Sequence, residues 1–259
     1  MLHIKLGKNR KTRSDLQEMK IEGRFHKRLE GFEPIPHIKW IEALEKGAET
    51  LGIDAFGWKF STSDYYGTNS EMHGSFDFMF PDDPDVLPGK QSSRSIGWSI
   101  SNGGRHRPRL FIGGRFGLEG EGGYAADRVD MRVHTDPLES FVAEFFQMLK
   151  SRCEIIDNKV DNMLSSPLWH SDRTLILVEM ARQEIMPWSR LKVCDTFCTE
   201  NEIRKEENLW WDLIRGAGRA IAKNTPLKQL TQLGEAWKLS WEWHEWKEEQ
   251  EISEEGVES

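Results

Sequence analysis

The spacing of apolar residues changes period twice along this chain, and the two changes bound what it can fold into. In PIPHIKWIEALEKGAETLG, residues Ile38, Ile41, Ala43, Leu44, Ala48 and Leu51 recur at helical spacing, and Gly52 supplies a C-terminal stop. After Gly52 the period becomes two. Phe56, Trp58 and Phe60 alternate with polar residues, as do Phe76, Phe78 and Phe80, then Ile96, Trp98 and Ile100, then Leu110 and Ile112. The turn-rich stretches DYYGTN, PDDPDVLPGKQSS and SNGGRHRP separate these runs. The pattern predicts a four-stranded antiparallel meander with one face on a core, and VDMRVHT adds a fifth strand with Val129, Met131 and Val133 inward. From Asp136 the period is helical again, with Asp136 as N-cap, Pro137 at the first helical position and Glu139 completing a capping box. Further helices are predicted at 171–185, 199–223 and 227–250, broken near Pro187 and at Asn224–Pro226. The fold class expected is α+β: an N-terminal helix, an antiparallel meander of four to five strands, and a helical C-terminal half.

Four segments follow from that reading. Residues 1–33 form a charged N-terminal arm, with nine Lys/Arg against four Asp/Glu in its first thirty residues and no apolar period; residues 34–165 form the α+β core; 166–247 are a helical extension; 248–259 are an acidic, disordered tail. In EAWKLSWEWHEWKEEQEISEEGVES, Trp237 and Trp241 share a helical face and are expected to pack on the body or on another subunit.

Composition excludes several classes. No stretch approaches the roughly 20 apolar residues of a membrane helix, and MLHIKLGKNRKTRSD lacks the apolar core of a secretory signal, so a cytoplasmic location is expected. Cys153, Cys194 and Cys198 are too few and too unpaired for a disulfide framework. Cys194 and Cys198 stand at i, i+4, a spacing open to metal, but with no CxxC or paired histidines beside them the expectation is ordinary buried thiols and no metal. GRFGLEGEGG closes with no Gly-Lys-Ser/Thr and sits in no strand-turn-helix frame, so no nucleotide cofactor is expected.

Charge is the feature that points to a function. The chain carries a formal net charge of -8, yet Lys90 to Leu118 holds six Lys/Arg and no acid. A glycine-rich turn lets backbone amides approach phosphate, and arginines fork onto its oxygens. The strip therefore yields a candidate nucleic-acid surface of Lys90, Arg94, Arg105, His106, Arg107, Arg109 and Arg115, with Trp98 as the stacking platform of a single-strand site. The competing reading has these arginines paired with the protein's own acids. His134 with Asp136, and His73 with Asp77, are two further pairs whose residue types suit acid-base or metal chemistry, although no metalloprotease or nucleophile-elbow motif frames them.

The order of these features resembles the phage and plasmid proteins grouped as domain of unknown function 932, over roughly residues 34–246. PIPHIKWIEALEKGAETLGI is similar to that family's opening helix, GWSISNGGRHRPRLFIGGRF to its central hairpin, MRVHT to the segment after it, and ENLWWDLIRGAGRAIAKNTPLKQL to its later helix. Asn102 and His106 match the family's turn only across inserted glycine and arginine, and its Cys-Asx pair is absent after Arg115. The resemblance implies a mobile-element protein in a bacterial cytoplasm. At fold level, ALEKGAETLGIDAFGWKF and the meander also look like the single-strand annealing recombinases of phages, which assemble into rings.

The function expected is thus a non-catalytic, phage- or plasmid-encoded protein that binds nucleic acid, single-stranded for preference, as a monomer or a homo-oligomer. The alternatives are an interaction or anti-defence module acting on a host protein, and a small metal-dependent hydrolase or nuclease.

Overall fold

A computed structural model describes residues 10–20, 35–64, 69–83, 93–102, 107–116, 123–130, 137–205, 208–221 and 226–255. A short strand, β1 (Arg10–Lys11), and a one-turn helix, α1 (Arg13–Glu18), precede helix α2 (His37–Thr50). The sheet follows as β2 (Asp54–Ser63), β3 (Glu71–Met79), β4 (Ser93–Ser101), β5 (Arg109–Phe116) and β6 (Gly123–Asp130). Five helices complete the chain: α3 (Leu138–Ser165), α4 (His170–Arg182), α5 (Trp188–Lys205), α6 (Trp210–Ile221) and α7 (Pro226–Glu255). The α+β class is as the periods predict, and the sheet is a single antiparallel meander ordered β1-β2-β3-β4-β5-β6.

Helix α2 stops where its sequence dictates. Gly52 takes a φ of +63°, its N–H donates to Glu49 O, and Ile53 N–H reaches back to Ala48 O, a Schellman closure. The buried face of α2 is Trp40, Ile41, Leu44 and Ala48, rotated from the face expected, so that Leu51 is left exposed. On the sheet, Phe60, Met72, Phe76, Phe78, Ile96, Trp98, Ile100, Leu110 and Ile112 are all buried in one cluster with α2 and α3. Phe56 is the exception. Residues 57 and 58 form a bulge against β3, with Gly57 at φ +66°, and the extra residue reverses the alternation, so Phe56 is 40% exposed while Trp58 stacks on Phe76 at 4.2 Å.

Several boundaries move. The fifth expected strand is β6, which ends at Asp130; Met131, Val133, His134 and Asp136 lie outside the described residues. Pro137 is the N-cap of α3, with no side-chain capping bond there. The helix expected over 199–223 is two helices, α5 and α6, and α7 runs to Glu255, through most of the segment expected to be a disordered tail. Part of the expected arm is ordered as well: Arg10 and Lys11 pair with Ser61 and Phe60, and Leu16 is buried. The boundary at 165/166 matches the end of α3, but the core does not divide there. Met163, Ile176, Met180, Leu213 and Trp237 belong to the same apolar cluster as the sheet. Helices α6 and α7 pack along β6, and Trp237 and Trp241 are buried as their shared face predicts. No helix among the described residues is long and apolar enough to cross a membrane.

Candidate functional site

The basic strip does not form one surface. Arg94, on β4, points its guanidinium between two acids: Nη1 donates to Asp83 Oδ2 and Nη2 to Asp157 Oδ2 at 2.8 Å, with the ring of Phe80 5.2 Å away. Its side chain is 13% exposed and both ends of its guanidinium are taken, so it is a part-buried strut between the β3 end and α3 and is not available to phosphate. Trp98 is fully buried and ringed by Trp58, Phe60 and Phe76 at centroid distances of 5.9–6.1 Å. It therefore cannot stack a base. Arg107 is exposed at the start of the β5 hairpin arm, and Arg109 is half-buried on β5. Arg115 stands in the ladder opposite Ser93 and Tyr124. Lys90, Arg105 and His106 lie outside the described residues.

The second face of the sheet carries an arrangement the sequence spelled at period two. Glu71, His73, Ser75 and Asp77 on β3 and Ser95, Ser99 and Ser101 on β4 are all buried. The ladder register lines Ser61, His73, Ser99, Arg109 and Asp130 into one row across five strands. Within it His73 Nδ1 lies 2.9 Å from Ser99 Oγ, and Glu71 Oε2 is 3.7 Å from His73 Nε2. Ser63 Oγ donates to Glu71 at 2.9 Å, and Ser95 Oγ donates to Asp77 Oδ1 at 2.5 Å. The pairing expected between His73 and Asp77 is not made, because Asp77 sits two cross-strand rows away and is bonded to Ser95. A hydroxyl, an imidazole and a carboxylate in line are the components of a nucleophilic relay. Here they are 0%, 5% and 2% exposed, so no reacting group reaches them in this conformation. The hydrogen bonds His73–Ser99, Ser63–Glu71 and Ser95–Asp77 give partners to polar groups that the sheet buries.

Asn102, singled out in the hairpin motif, is a clasp. Its Oδ1 accepts from Ile35 N–H at 3.0 Å, its Nδ2 donates to Ile35 O at 2.9 Å, and its own N–H donates to Ser70 O at 2.7 Å. This pins the entry of α2 to the ends of β3 and β4. Beside it His37 is fully buried, with Nε2 donating to Asn69 O at 2.7 Å. Burial holds the imidazole neutral, and its pKa falls to about 4.

In the helical half, Arg173 is held internally as well: it is 2% exposed and bound by Asp195, Glu202, Thr199 and His170. All three cysteines are free and buried, and burial lifts Cys153 to about 12. Among the described residues no group of three metal-ligating side chains comes together.

An open cleft of about 600 Å³ lies between α3 and α7, lined by Arg152, Ile155, Ile156 and Lys159 from α3 and by Glu235, Trp237, Trp241, Glu242 and Glu245 from α7, with Phe111 of β5 and Lys238 completing it. Lys159 Nζ sits 4.6 Å over the Trp241 ring, and Lys238 pairs with Glu242 at 3.5 Å. From Glu242 and Glu245 at the cleft rim the same stripe of the helix runs outward to Trp246 and Glu249, the four standing at i, i+3, i+4 and i+7 and all exposed. Sequence reasoning noted the acids and tryptophans of α7 but not the cleft, whose walls come from segments about eighty residues apart. No family model, no curated protein and no solved structure matches the chain.

Proposed function

We propose that this protein is a non-catalytic interaction module that binds a basic protein partner through the outer face of α7. The observation that carries the reading is Trp246, 49% exposed within a face of Glu242, Glu245 and Glu249. An exposed tryptophan ringed by charge is the composition of an interface anchor with a polar rim. The fate of Arg94 and Trp98 supports it from the other side, since of the eight residues assigned to a nucleic-acid groove Arg94 is tied between two acids and Trp98 is built into the core. A partner purified to homogeneity and titrated against the wild-type protein should lose at least about tenfold in affinity against Trp246→Ala/Glu249→Gln. Unchanged affinity in that variant, or a partner whose binding surface is acidic, would overturn the proposal.

Nucleic-acid binding by a mobile-element protein is the second reading, and the exposed Arg107 beside Arg109 favours it. It requires a gel shift with single strands at low salt that weakens steeply as salt is raised, and loss of that shift in Arg107→Ala/Arg109→Ala.

A further inference from the structure

We infer that the cleft between α3 and α7 takes a short peptide segment of the partner, one that carries an aliphatic or aromatic side chain flanked by arginine or lysine. This rests on the reading of α7 as the partner-binding helix. The cleft's volume of about 600 Å³ lies within the range of sites that enclose a compact ligand. Its floor is apolar: Ile156, Trp237 and Trp241 are at most 7% exposed and Phe111 is 1% exposed, while Ile155 stands 54% exposed at the rim. An exposed isoleucine beside a recessed aromatic floor leaves apolar surface that a side chain from outside would remove from water.

The two walls differ in sign, and that sets the occupant's chemistry. The α7 wall presents Glu235, Glu242 and Glu245 against Lys238 alone, and Lys238 is already paired with Glu242. The α3 wall presents Arg152 and Lys159, two turns apart on one face. The aromatic face of Trp241 already carries the Lys159 ammonium, so an incoming cation goes to Glu235 and Glu245 and not to the ring. The buried indole N–H of Trp241 has no acceptor within hydrogen-bond distance among the described residues. A peptide in the cleft would turn its basic side chains to α7 and its carbonyl oxygens towards the cations of α3, with the apolar side chain between them on the floor.

The test uses three blocked tetrapeptides, acetyl-Arg-Leu-Phe-Arg-amide, its Glu-Leu-Phe-Glu counterpart and its Ser-Leu-Phe-Ser counterpart, titrated into the isotope-labelled full chain. The readout is the indole N–H resonances of Trp237 and Trp241. The basic peptide should shift both, with a dissociation constant on the order of 1 mM as befits four residues. The serine peptide should bind several-fold more weakly and the acidic one not at all. Glu235→Lys/Glu245→Lys should weaken the basic peptide at least about tenfold and admit the acidic one. Ile155→Asp, at an exposed position, should abolish both. Equal binding of the acidic and basic peptides, shifts that survive in Ile155→Asp, or no shift at millimolar peptide would each overturn the inference. Trp246 and Glu249 lie outside the cleft lining, so Trp246→Ala/Glu249→Gln should leave peptide binding intact. If that variant keeps the peptide and also keeps the partner, the outer-face reading fails while the cleft stands; loss of the partner without any peptide binding overturns the cleft alone.

Discussion

Trp98 covers Gly74 across the β3–β4 ladder so closely that a Cβ built on the glycine would stand 2.6 Å from the indole Cε2 and 2.5 Å from the backbone oxygen of Lys59. The indole can move only into Trp58, Phe60 and Phe76, and the carbonyl belongs to the neighbouring strand. Gly74→Ala should therefore cost about 3 kcal/mol or more and lower the melting temperature by roughly 10 °C. Gly218→Ala is the control, because the nearest atom to its added Cβ is Leu233 Cδ2 at 3.9 Å. That change, within α6, should be neutral or stabilising by up to about 1 kcal/mol. Thermal melts of the two variants check both directions at once.

Arg94→Ala should lose about 3 kcal/mol in urea unfolding, because Asp83 and Asp157 would be left with their charges facing each other and no cation between. Arg94→Lys should recover less than half of it, since an ammonium cannot fork to two carboxylates at once. A lysine variant as stable as wild type would remove the strut from this account.

Stability should fall with acid in a window set by His37. The folded state holds its pKa at about 4 by burial, while the unfolded imidazole titrates near its ordinary value of 6.5. As pH falls below 6.5 the unfolded chain takes up a proton that the folded chain refuses, so unfolding is favoured. The loss grows to about 3 kcal/mol at pH 4 and is absent above pH 7. His37→Gln keeps a donor for Asn69 O and should flatten that slope. Denaturant midpoints of both proteins at several pH values between 4 and 7 measure the difference.

The three thiols should be silent in the native protein. Cys153 is pushed up to about 12 by burial, and Cys194 is held well above the usual thiol value by its hydrogen-bonding contact with Cys198 and by burial, with its Sγ donating to Leu213 O at 3.6 Å. A disulfide reagent at pH 8 should find none of the three until denaturant is added and then all three. Fast labelling of Cys194 or Cys198 under native conditions would contradict the packing of α5 against α6, and fast labelling of Cys153 the burial of that face of α3.

The period of the apolar residues made most of the sheet legible, and the same signal settles Trp98. It shares its alternation with Ile96 and Ile100, so the side of β4 that faces the core claims it before any ligand can. Charge counting across Lys90 to Leu118 ignored that alternation and grouped residues that belong to different faces. Arg94 has the parity of Trp98, whereas Arg109 falls in the row of His73 and Ser99. The buried polar face was equally written in EMHGSFDFM, where Glu71, His73, Ser75 and Asp77 alternate with apolar residues. What covers both faces depends on distant segments, and no local pattern carries that. Phe56 failed for a local reason, a bulge at Gly57 that one glycine in an aromatic strand does not announce. The cleft was illegible because Lys159 and Trp241 meet only when α3 and α7 do.

The strict order of the sheet bears on how the chain acquires it. From β2 to β6 each strand pairs with the next along the chain, so each of those closures spans a hairpin and not a crossover, whereas α1 and α2 intervene between β1 and β2. Low contact order of this kind keeps the loop-closure entropy of each step small and the zippering fast. Successive hairpins can close during synthesis, while the ribosome is still making α6 and α7. During that interval edge strand β6 is without the two helices that pack along it, and the nascent chain is at its most exposed to pairing with a neighbour.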